Sequence, residues 1–151
     1  MVASARASAT FPVPGTGVLR VAHGTYEHAT NLAATTTIDY CRIPKGAVVV
    51  SGWFYGDDLD TGTEELDMDI GWAANGVDAA DPDGFGNLGV ITGDTSVHLG
   101  TAGICIPLQG KLLTDGPVTF NAETIIQGVV NTDAATGGTG TTSVVVFYYV
   151  P

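Results

Sequence analysis

The chain has 151 residues, with sixteen acids against five bases for a formal net charge of -11, and only 14% of its residues are charged. That length suits one domain around one continuous core. The bases Arg6, Arg20, Arg42, Lys45 and Lys111 are scattered instead of forming a stripe, which argues against nucleic-acid binding through phosphates.

Nothing approaches the roughly 18 consecutive apolar residues of a membrane helix, and no membrane partner is expected. The opening M-V-A-S-A-R-A-S-A-T-F-P-V-P-G-T-G has alanines but no apolar h-region, so a secretory signal is not expected and synthesis in a cytoplasm is. Gly, Val, Ile, Thr and Tyr are prominent, a composition of strands joined by turns.

Residues 1–17 are small and polar, with Pro12 and Pro14 beside Gly15 and Gly17, and read as an extended arm outside the core. The domain proper is expected over 18–151. The first strand pattern, V-L-R-V-A-H-G-T-Y-E-H, alternates imperfectly. T-T-T-I-D-Y-C-R-I-P at 35–44 alternates well and ends in a Pro44-Lys45-Gly46 turn. A-V-V-V-S-G-W-F-Y-G at 47–56 carries no charge and predicts a central strand buried on both faces. E-E-L-D-M-D-I-G-W-A at 64–73 predicts a strand with Leu66, Met68, Ile70 and Trp72 inward and Glu65, Asp67, Asp69 and Gly71 on a solvated outer face.

Farther on, G-I-C-I-P-L-Q-G-K-L-L at 103–113 reads as a strand that Pro107 confines to an edge or a bulge. V-T-F-N-A-E-T-I-I-Q-G-V-V at 118–130 reads as one alternating strand, and S-V-V-V-F-Y-Y-V closes the chain. Seven or eight strands separated by turns predict an all-β fold, an antiparallel β-sandwich of jelly-roll or related type. Cys41 and Cys105 lie far apart in strand-like runs and belong to no C-x-x-C pair, which favours two reduced, buried thiols.

Ten of the sixteen acids fall between Asp57 and Asp83. Asp78, Asp81 and Asp83, in V-D-A-A-D-P-D-G-F-G, are the candidate calcium ligands. The D-P-D-G at 81–84 begins like an EF-hand loop, but no acid follows before Asp94, so that motif fails. Asp81 as N-cap, Pro82 at the first helical position and Asp83 in the first turn predict instead a short helical turn. The row Glu65, Asp67 and Asp69 resembles paired acid/base carboxylates, although a solvated strand face produces the same row. His23, His28 and His98 have no ligand spacing, and no nucleophile elbow, P-loop or dinucleotide fingerprint is present. The residues therefore imply neither catalysis nor a cofactor.

Aromatic residues concentrate in Trp53-Phe54-Tyr55 and Phe147-Tyr148-Tyr149. Neighbours on a strand face opposite ways, so each triplet divides between core and surface in one of two phases. Trp53, Phe54, Tyr55 and Tyr148 are candidate contact residues, together with Phe11, Pro12, Val13 and Pro14 of the arm.

The order T-I-D-Y-C-R-I-P-K-G-A-V-V-V-S-G-W, then D-I-G-W-A, D-A-A-D-P-D-G-F and a terminal S-V-V-V-F-Y-Y-V-P resembles small structural proteins of tailed bacteriophages. The resemblance covers about residues 35–90 and 140–151, and departs at Gly84, where many such proteins have Arg. It implies a virion protein, foremost a capsid decoration or other head-associated protein on the outer shell. Its implied partners are the major capsid protein and copies of itself, with a trimer on a local three-fold site. A receptor- or carbohydrate-binding module of a fibre or tail is the alternative.

Overall fold

The computed structural model describes residues 17–29, 32–60, 65–90, 104–137 and 139–151, with nothing taken from the side chains of 89 and 90. Its strands are β1 (Arg20–His28), β2 (Thr37–Ile43), β3 (Val48–Gly56), β4 (Asp67–Trp72), β5 (Asp81–Val90), β6 (Ile104–Pro107), β7 (Val118–Thr119), β8 (Thr124–Thr132) and β9 (Gly140–Tyr149). One short helix, α1 (Lys111–Thr114), lies between β6 and β7.

The strands form two antiparallel sheets, β1-β9-β3-β6 with β7 beside β3, and β2-β8-β4-β5. Nearly every connection crosses from one sheet to the other, the exception among long strands being the β4–β5 pair. This two-sheet arrangement agrees with the expected all-β antiparallel sandwich. The candidate arm lies outside the described residues, apart from Gly17.

Alternation places Ile38 and Tyr40 of β2, Phe54 of β3, Met68, Ile70 and Trp72 of β4, Ile126 and Val130 of β8, and Val144 and Val146 of β9 in one core. At one end Trp72 meets Phe85 and Phe120 edge-to-face, with ring centroids 5.0 Å apart in both pairs. Such contacts add roughly 0.5–1.5 kcal/mol to burial. Trp72 also donates its indole N–H to the Ala79 carbonyl at 3.1 Å, so the ring's polar edge is satisfied.

Four expectations are corrected. Asp81–Val90 is a strand and contains no helical turn. Phe85 must reach the core, and the side-chain-free Gly71 lets β5 cross so closely that a Cβ there would lie 1.9 Å from the Asp81 carbonyl oxygen. The span 118–130 is divided between sheets, with β7 on β3 and β8 between β2 and β4, separated by the bend at Asn121–Ala122. Strand β3 is central, but only one of its faces is covered, since Val50 and Trp53 are 37% and 45% exposed. On β4 the outer face is solvated only at its start, where Glu65 is exposed and Asp67 half-buried, while Asp69 is only 9% exposed. Pro107 lies on edge strand β6, where its missing N–H costs no ladder bond on the open side.

Both cysteines are free and half-buried, Cys41 on β2 and Cys105 on β6, in different sheets. Burial pushes the Cys41 thiol up to about 11, which suppresses its reactive thiolate.

Candidate interaction surface

The β3 triplet divides with its middle ring inward. Phe54 is fully buried, whereas Trp53 is 45% exposed and Tyr55 is half-buried on the opposite, outer face of the sheet. In the last triplet Tyr148 is buried and Phe147 and Tyr149 are half-buried. Phe54 and Tyr148 are therefore packing residues and cannot anchor a partner without unfolding the sandwich. Phe11, Pro12, Val13 and Pro14 lie outside the described residues.

Antiparallel register extends the outer face around Trp53 across the whole sheet. One row runs His23, Val145, Trp53, Pro107; the rows on either side run Val21, Phe147, Ser51 and Thr25, Ser143, Tyr55, Cys105. None of these residues is Asp, Glu, Lys or Arg, in a chain whose net charge is -11. Like charge holds free copies apart, and an uncharged, aromatic-bearing face is where a partner is met at least desolvation cost. Tyr55 is held at its rim by an O–H bond to Asp57 Oδ1 at 2.7 Å, a bond that foremost raises the phenol's pKa.

The face ends at β1, the edge of its sheet, where Val21 is 58% exposed; just before the strand Val18 and Leu19 are 76% and 60% exposed. An open edge beside apolar side chains can accept a strand from another chain. The imperfect alternation of 18–28 reflects this edge position: Ala22, Gly24 and His28 turn inward, and Gly24 lies so close to β2 that a Cβ would sit 1.9 Å from the Tyr40 carbonyl oxygen.

The three candidate calcium ligands do not converge. Both carboxylate oxygens of Asp78 accept N–H bonds, from Asn75 Nδ2 at 2.8 Å and from the backbone N and Nδ2 of Asn121 at 2.8 and 2.7 Å. These donors, led by the side chains of Asn75 and Asn121, hold its carboxyl below the usual carboxylate range. Asp81 pairs with Lys111, whose ammonium also lies 5.2 Å from the centre of the Trp72 ring. Asp83 is exposed. Among the described residues, no group of three or more His, Cys, Asp or Glu side chains could hold a metal ion.

The loops are tied by carboxylates that sequence reasoning passed over. Asp60, 2% exposed, accepts backbone N–H bonds from Glu65, Leu66, Ala135 and Thr136 at 2.8–3.2 Å. Burial opposes its ionisation, but these donors prevail and hold its pKa at about 2. The donors come from two distant stretches of chain, so no local motif announced the site.

No family model matches the chain, and no curated protein matches it. Solved structures do. A chain of the cyanophage Pam1 capsid asymmetric unit is 26% identical and superposes with a TM-score of 0.69 over 100% of both chains. A chain of the Ralstonia phage GP4 capsid is 22% identical, with a TM-score of 0.64 over 92% of this chain and 88% of that one. A chain from the acidic stable capsid structure of Helicobacter pylori bacteriophage KHP30 is 14% identical, with a TM-score of 0.61 over 91% of each.

Proposed function

We propose that this chain is a non-enzymatic structural protein of a tailed-bacteriophage virion, a decoration or cement protein bound to the outer surface of the head. The observation that carries the reading is the end-to-end match to the Pam1 capsid chain, 100% of each chain at a TM-score of 0.69. The likeness extends over the full length of both matched chains.

The surface chemistry supports the same reading. A cement protein must stay soluble before assembly and then bury a defined face, and the uncharged outer face around Trp53 on a body of net charge -11 provides for both. Its partners are the major capsid protein and copies of itself, arranged as a trimer on a local three-fold site of the shell. Residues 1–17 act as an arm that reaches a neighbour, with Phe11, Pro12, Val13 and Pro14 as its apolar contact.

Localising the chain in intact particles by cryo-EM tests the proposal directly, with many copies expected on the outer shell. Its absence from purified particles, or a position confined to the tail, overturns the decoration role. Deleting residues 1–17 is expected to leave the sandwich folded and to weaken attachment to particles stripped of the protein; undiminished attachment refutes the arm's part.

A second reading, a glycan- or receptor-binding module of a fibre or tail, draws on Trp53 and Tyr55 sharing one outer face. Reproducible glycan-array binding that is lost in Trp53→Ala would favour it.

A further inference from the structure

Strand β4 carries Asp67 and Asp69 two positions apart, with Met68 between them turned fully into the core. Strand alternation therefore puts the two carboxylates on the same, outer face, with Cα atoms roughly 7 Å apart. The sequence predicts that this face is wet, but Asp69 is 9% exposed and Asp67 half-buried. Asp67 Oδ1 and Asp69 Oδ1 are both buried without a hydrogen-bond partner.

Two neighbouring anions buried in this way repel each other and lose hydration, a cost that proteins normally offset with donors or a counter-charge. Among the described residues, neither reaches these two Oδ1 atoms. The ion pairs among the described residues are Arg42–Glu123 and Lys111–Asp81, and neither involves these aspartates. The other buried aspartate, Asp60, shows the contrast, with four backbone N–H groups on its oxygens.

We infer that Asp67 and Asp69 form a binding site for a hard divalent cation, calcium foremost. The surroundings offer the further oxygens such an ion takes. Across the register Asp67 stands opposite Thr132 on β8. The ladders are also interrupted here, β4–β5 between Asp67 and Asp69 and β4–β8 between Asp67 and Met68. Bulges leave backbone groups outside the regular pairing, and calcium sites use carbonyl oxygens of that kind. The ion would remove two units of charge from the acidic body.

The test uses the full-length protein freed of metal with a chelator, titrated with calcium chloride by calorimetry and followed by thermal unfolding. Saturable binding and a midpoint raised by several degrees are expected, with both lost in Asp69→Asn and Asp67→Asn and kept in the control Asp39→Asn. If Asp69→Asn fails to fold, Asp67→Asn, at the half-buried start of the strand, carries the comparison. Magnesium replacing calcium still supports a divalent site. No binding by about 1 mM of either ion, the weak end for calcium modules, overturns it. So does binding unchanged in both variants.

Discussion

Asp78 grips Asn121 with both carboxylate oxygens, one accepting the backbone N–H at 2.8 Å and the other the side-chain Nδ2 at 2.7 Å, across 43 residues of sequence. Asn75 completes the clamp, donating Nδ2 to Asp78 Oδ2 at 2.8 Å while its own Oδ1 accepts the backbone N–H of Asp78 at 2.6 Å. The loop after β4 is thus fastened to the bend where the chain leaves β7 for β8. Asp78→Ala is expected to cost about 1.5–3 kcal/mol, the range for hydrogen bonds to a charged acceptor. Urea denaturation measures it, and a cost below 0.5 kcal/mol (roughly the level of an ordinary surface substitution) would mean that the clamp is not structural.

The nest around Asp60 gives a pH dependence with a definite sign. Its folded-state pKa of about 2 lies below the ordinary 3.8, so its contribution is complete above about pH 4 and is lost as pH falls through about 2. The loss is about 2 kcal/mol for a shift of this size. Asp60→Asn should lower stability at neutral pH and flatten the acid limb between pH 4 and 2. A variant whose acid limb superposes on the wild type would place the acid sensitivity elsewhere.

The contrast between Asp60 and Trp72 shows what sequence could and could not reveal. Met68, Ile70 and Trp72 repeat every second residue, and that local period was enough to predict their inward face. Pro107 likewise marked its strand as an edge, because a missing N–H is a property of the residue itself. The donors to Asp60 come from residues 65, 66, 135 and 136, and only the fold brings them together. The helical turn expected at Asp81-Pro82-Asp83 was sound capping chemistry, overruled by the burial of Phe85 and the close crossing at Gly71. Gly84 has a similar tertiary cause: a Cβ would lie 2.3 Å from the Trp72 ring.

A buried polar chain joins the two sheets. Thr142 Oγ1 accepts the Tyr40 O–H at 2.7 Å and lies 2.7 Å from His28 Nε2, while His28 Nδ1 is buried without a partner. Burial lowers the His28 pKa below 6.5, against opposing pulls from Glu27 and Asp57. The folded chain therefore takes this proton later than the unfolded chain, and stability falls as pH drops below 6.5 towards the folded-state value. Thr142→Val is expected to cost about 2 kcal/mol by stranding both partners. Denaturation at pH 7.5 and pH 5 checks the sign, and His28→Gln should remove the difference; an equal difference in that variant would assign it to other groups.

Trp53 and Phe54 are adjacent in sequence but serve opposite faces, so they separate folding from assembly. Phe54 is 0% exposed, and Phe54→Ala is expected to cost about 3–5 kcal/mol through lost burial and the cavity left behind. Trp53 is 45% exposed on the uncharged face, and its removal should change stability by less than about 1 kcal/mol. A central tryptophan in an interface commonly costs at least 2 kcal/mol of binding when truncated, some thirtyfold in affinity. Trp53→Ala should therefore remain folded by circular dichroism yet attach to stripped particles at least thirtyfold more weakly. Wild-type attachment by a folded Trp53→Ala protein would move the contact away from this face, leaving the open edge of β1, with Val18, Leu19 and Val21, as the next surface to mutate.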